Sequence, residues 1–110
     1  MAGKIERFNS VTGSVTMTND PAGSPKIPFG PAAGAIVVVD TTAGGATTIN
    51  WYAAFTASEQ AKPVYVDGTL ASTAVSDGQA YPVPDALFAA PFVVGVTDLG
   101  TATIRLSVKG

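Results

Sequence analysis

Acid–base chemistry in this chain would fall to eight carboxylates: Glu6, Asp20, Asp40, Glu59, Asp67, Asp77, Asp85 and Asp98. The chain has no His and no Cys. Ser-His and Cys-His nucleophiles, thiolate metal sites and disulfides are therefore all excluded. A pair of carboxylates facing one sugar could still hydrolyse a glycoside, and loop Asp residues with carbonyl oxygens could hold Ca²⁺. The spacing brings no pair together, and no EF-hand-like loop is present. Asp67-Gly68 and Asp77-Gly78 are instead turn signals, in which the Asp side chain bonds nearby backbone amides. Gly44-Gly45 lacks the Gly-Lys-Ser/Thr sequence and the strand-to-helix transition of a phosphate loop. The sequence predicts a protein that is not an enzyme and that needs no metal or cofactor.

Two other groups of residues could bind rather than react. Trp51, Tyr52, Tyr65 and Tyr81 could stack on sugar rings, as carbohydrate modules of β-sandwich type do, although only Tyr52 falls clearly on the face opposite the core residues of its strand. The second group is apolar and basic. Residues 2–8 concentrate three charges with Ile5 and Phe8, and Lys4 and Arg7 supply the cations. The loop 19–34 carries Ile27 and Phe29 on a frame stiffened by Pro21, Pro25, Pro28 and Pro31. Lys4, Ile5, Arg7, Phe8, Ile27 and Phe29 are thus the candidate partner-binding residues, the prolines lowering the entropy cost of ordering the loop. The plainer alternative is that the loop is a rigid lid over a sandwich edge.

These residues must be held by a single domain of 110 residues and 11.0 kDa, with residues 1–10 as a candidate N-terminal arm. Val and Thr outnumber the good helix formers other than Ala, and the alanines lie beside Gly, Pro or Thr without a helical apolar period. Thr101 to Lys109 alternates strictly: Ala102, Ile104, Leu106 and Val108 face the core. The spacing predicts that it forms a hairpin with Phe92 to Thr97, and that Ala35 to Thr42 forms another with Thr47 to Thr56. Trp51 and Phe55 are predicted to anchor the core. Shorter strands are predicted at Lys4 to Val11, Ser14 to Thr18, Pro63 to Asp67 and Leu70 to Val75, with one helical turn at Asp85 to Ala89 capped by Asp85. About eight short strands make an all-β fold, an antiparallel β-sandwich of jelly-roll or Greek-key type.

Charge is sparse, 13% of residues against about 25% in typical domains, while 46% are hydrophobic. Charged residues are depleted where subunits meet, so this composition points to a chain packed against copies of itself or a larger assembly. Ile36 to Val39, apolar on both faces, suits a strand covered by the second sheet within and a neighbouring subunit without. Six cations spread along the chain leave no footprint for nucleic acid. No apolar run approaches the roughly 20 residues that span a bilayer, and the charged start argues against a secretory signal.

Thr48-Ile49-Asn50-Trp51-Tyr52-Ala53-Ala54, the stretch Ser76 to Phe88 and the stretch Gly100 to Gly110 resemble small β-sandwich virion proteins of tailed bacteriophages, especially head decoration (cement) proteins. The resemblance implies a non-enzymatic homotrimer, assembled in the host cytoplasm and carried on the virion. Its partners would be the major capsid protein or other virion proteins, with no nucleic acid and no membrane. A carbohydrate-binding or other adhesion module is the alternative.

Overall fold

The computed structural model describes residues 9–11, 13–29 and 34–109. In chain order the strands are β1 (Asn9–Val11), β2 (Val15–Thr18), β3 (Ile27–Pro28), β4 (Gly34–Ala43), β5 (Thr48–Ala54), β6 (Lys62–Pro63), β7 (Tyr65–Val66), β8 (Thr69–Leu70), β9 (Ser72–Ala74), β10 (Gln79–Pro82), β11 (Phe92–Thr97) and β12 (Thr101–Lys109). A single 3₁₀ turn, Asp85–Ala89, precedes β11. All strand pairs are antiparallel. In the first sheet β12 lies between β4 and the tandem β1 and β2, and β10 forms the far edge beside β4. In the second, β5 lies between β11 and the tandem β6 and β9, with β3 on the outer edge of β11. The fold is the expected antiparallel β-sandwich.

Alternation decides which side of each strand enters the core. Val37 and Val39 of β4 and Ile104, Leu106 and Ala102 of β12 are fully buried, as are Ile49 and Trp51 of β5 and Val93 of β11. Met17 of β2 fills the space above Gly95 of β11, where a Cβ would collide with its sulfur. Burying such side chains contributes roughly 1.5–3 kcal/mol each.

The two long hairpins expected from the sequence do not form. β4 and β5 belong to different sheets, and so do β11 and β12. Each pair is an arch whose arms face one another across the core. Residues 44, 45 and 100 are glycines with φ of +70°, +89° and +59°, which lets the chain turn out of its sheet. The Asp98 carboxylate then holds the two arches together, accepting from the Thr47 hydroxyl at 2.6 Å, the Thr47 amide at 2.9 Å and the Thr48 amide at 3.1 Å. The short hairpin at Asp67-Gly68 is present as predicted, with β7 on β8 and both turn residues at positive φ. It leaves the sheet at Trp51, whose amide donates to the Ala71 carbonyl and whose carbonyl accepts from Val64.

Three local expectations are corrected. Phe55 is 75% exposed, because β5 ends at Ala54 and the next residues turn away, held by the Glu59 carboxylate on the Phe55 and Thr56 amides. Asp85 is not the cap of its turn: Pro84 stands at that position and no side chain caps the turn. The strand β10 lies outside the strands predicted from sequence because Pro82 ends it and Pro84 follows; Pro82 is tolerated because β10 is an edge paired only with β4. Pro28 in β3 and Pro63 in β6 likewise stand on outer strands.

Candidate functional site

Most of the carboxylates do structural work. Asp77 accepts from the Thr42 amide and hydroxyl, at 2.9 and 2.6 Å, and Asp20 accepts from the Ala22 amide. Glu59 and Thr56 cap one another, the Glu59 amide donating to the Thr56 hydroxyl. Asp40 forms a bidentate pair with Arg105, both bonds 2.9 Å. The Arg105 guanidinium holds the Asp40 carboxyl below the usual carboxylate range, and the Asp40 carboxylate raises the guanidinium in turn. The Asp98 carboxyl is lowered furthest, chiefly by the Thr47 hydroxyl and then by the Thr47 amide. Among the described residues no three carboxylates come together to hold a metal ion.

The aromatic side chains do not form a stacking platform. Trp51 is fully buried and donates its indole N–H to the Thr73 hydroxyl at 3.0 Å. Tyr81 accepts from the Ser76 amide through its hydroxyl. Tyr52 is half-buried against Val94 and Ala61 on the outside of the second sheet, while Tyr65 is exposed in the β7–β8 hairpin.

The outer face of the first sheet is largely apolar along β4 and β10. On the first sheet Val37 and Val39 point inward, so Ile36 and Val38 point out. Ile36 is 48% exposed. Its neighbours across the sheet are Pro82 of β10 and Ser107 of β12, and those of Val38 are Ala80 and Arg105. Ala80 and Pro82 are exposed. The result is an apolar row on which the charges present, Arg105 and Asp40, neutralise one another. A β-bulge between Thr103 and Ile104 marks the same place in the ladder.

Two further features lie elsewhere. The loop after β5 presents Phe55 on a backbone fixed by the Thr56–Glu59 reciprocal cap, and the Lys26 ammonium donates to the Ala57 carbonyl at 2.9 Å. A groove of about 480 Å³ runs between the β7–β8 hairpin and the 3₁₀ turn, with Val66, Leu70, Ala71, Pro84 and Ala86 as walls and Asp85 at its side.

The residues singled out from sequence part company here. Lys4, Ile5, Arg7 and Phe8 lie outside the described residues. Ile27 and Phe29 are core residues, not free anchors: Ile27 is 4% exposed within β3, and Phe29 is fully buried, its ring stacked on Phe88 at 5.5 Å. Residues 19–29 of the loop close the sandwich, the Phe29 amide donating to the Pro91 carbonyl. Proline spacing alone does not tell an arm from a lid. The exposed row was legible in part, since Ile36 to Val39 reads as apolar on both faces. The groove was not, because it depends on where the hairpin leaves the sheet.

No family model and no curated protein matches this chain. Among solved structures, the SPBc2 prophage-derived protein YomS is similar in fold, with a TM-score of 0.57 at 16% identity, over 98% of this chain and 100% of that one. At that identity the likeness is one of fold, running the length of both chains.

Proposed function

We propose that this chain is a non-enzymatic structural protein of a tailed bacteriophage: a decoration protein that sits on the head as a homotrimer and reinforces contacts of the major capsid protein. The observation that carries this reading is the outer face of the first sheet, where Ile36, Val38, Ala80 and Pro82 form an apolar row and the adjoining charges are paired with each other. Such a face loses little on desolvation, because burying unpaired charge is the main penalty at an interface core. The sparse charge of the whole chain and the full-length fold likeness to a prophage-derived protein support the same reading. The described carboxylates with structural partners leave little for catalysis. The virion is the proposed location.

The test is co-expression with the major capsid protein encoded by the same genome, followed by sedimentation of the assembled shells. Co-sedimentation of the chain at a fixed ratio to the capsid protein is expected. Shells free of a chain that stays folded and soluble would overturn the proposal.

A further inference from the structure

Phe55 is the most exposed large apolar side chain among the described residues, 75% open to solvent, yet its backbone is fixed. The Phe55 and Thr56 amides both donate to the Glu59 carboxylate, and the Glu59 amide is tied back to the Thr56 hydroxyl. A ring held out on such a frame has little backbone freedom left to lose, so burying it against a partner costs little ordering entropy. Beside it, on the small cleft that it shares with Ala53, Pro63 and Val64, stands Lys62. Lys62 is exposed and makes no hydrogen bond or ion pair among the described residues.

The same chain carries a complementary shape. The groove of about 480 Å³ between the β7–β8 hairpin and the 3₁₀ turn has apolar walls, with Leu70 on the hairpin side and Pro84 on the other, and Asp85 lines it as well. The Asp85 carboxylate accepts no hydrogen bond and pairs with no cation among the described residues. A phenyl ring suits such walls, burying roughly 150–250 Å² of surface when it is covered. The cation beside the ring then answers the carboxylate beside the groove. Phe55 does not line its own groove and stays open to solvent, so the groove it can fill is that of another copy.

We infer that Phe55 of one copy enters the groove between the β7–β8 hairpin and the 3₁₀ turn of a second copy of this chain, its ring lying between Leu70 and Pro84 while Lys62 meets Asp85. This rests on the reading of the chain as a homo-oligomer and names the surfaces that the oligomer uses. Ring and groove are different patches, so each copy gives one and takes one, a head-to-tail contact that closes in a ring. The Lys62–Asp85 pair orients the contact more than it strengthens it, since exposed ion pairs add little. Phe55 packs little within its own chain, so its variants act on association and leave the single-chain fold intact.

Phe55→Trp puts an indole in the place of the ring, and acrylamide quenching of its emission reads whether it is covered, while light scattering follows the oligomer mass. Trp51 is fully buried and serves as the shielded reference. The added indole is expected to be shielded in the oligomer. Its quenching should rise several-fold, and the mass should fall, when Ala86→Arg, at an exposed groove position, blocks the site. Phe55→Asp should lower the mass from the other side of the contact. Lys62→Asp should weaken association several-fold, and Asp85→Lys in the same chain should restore it. An oligomer of unchanged mass whose indole is freely quenched would overturn this contact and leave the oligomer standing. A wild-type protein of single-chain mass would remove both. Association lost in Lys62→Asp and not recovered in the double variant would overturn the pairing with Asp85.

Discussion

Gly44 and Gly100 meet where the two arches of the sandwich cross, so closely that a Cβ on Gly44 would lie 2.9 Å from the Gly100 Cα and one on Gly100 would lie 2.8 Å from the Gly44 Cα. Both have positive φ. Gly100→Ala therefore combines left-handed strain, about 1–2 kcal/mol, with a backbone clash of similar size, first against the Ala43 carbonyl oxygen and then against Gly44, for an expected loss of roughly 3 kcal/mol. Gly68→Ala is the matched control: φ is +79° but the space around it is open, so about 1 kcal/mol should be lost. Equal losses in denaturant titrations would show that the close approach of Gly100 to Ala43 and Gly44 does not hold the arches together.

Phe29 and Phe55 exchange the roles that sequence assigns them. Phe29→Ala should destabilise the isolated protein by roughly 3–5 kcal/mol, since it empties a buried site against Phe88. Phe55→Ala removes an exposed ring and should change stability by no more than about 0.5 kcal/mol. Urea midpoints of the two variants check both statements, and a Phe29→Ala protein as stable as wild type would return the loop to the role of a free arm.

The reasons for these reversals are physical. The alternation in Thr101 to Lys109 fixes that strand to the residue, because period-two patterning reports burial of one face, whereas Phe92 to Thr97 keeps its expected bounds without alternating, five of its six residues being buried. Neither pattern says whether the next strand lies beside its predecessor or across the core from it. Both arrangements bury Val93 and Ile104, and only the turn glycines with Asp98 decide between them. Phe55 follows the alternation of β5 on paper, but the Thr56–Glu59 cap ends the strand before the pattern does. The β4 half of the outer apolar row was readable because it lies within one stretch, Ile36 to Val39, whereas its β10 half, Ala80 and Pro82, joins it only through the pairing of the two strands. The groove draws on 66–72 and 84–86, two stretches that only the tertiary fold brings together.

Acid should loosen the arches through Asp98. Its carboxyl is held below the unfolded value of about 3.9 by the Thr47 hydroxyl and amides, so its contribution is complete above that pH and is lost as pH falls through the lowered folded value. Asp98→Asn should therefore melt at a lower temperature than wild type near neutrality and show a shallower decline below about pH 4. Parallel melting curves across this range would contradict the staple.

The indole of Trp51 has one partner. Thr73→Val leaves its N–H buried without an acceptor, which should cost about 1–3 kcal/mol and alter the emission of the only tryptophan in the chain. Unchanged stability and emission would mean that the indole finds another acceptor.

The claim that this sandwich works as part of an assembly meets its most direct test in the mass of the purified chain by light scattering at micromolar concentration. The account predicts a species three times 11.0 kDa that does not change on dilution. It also predicts that Ile36→Lys, a charge placed on the exposed apolar row of the first sheet, lowers that mass while leaving the melting temperature within a few degrees. A species of 11.0 kDa at every concentration would contradict it.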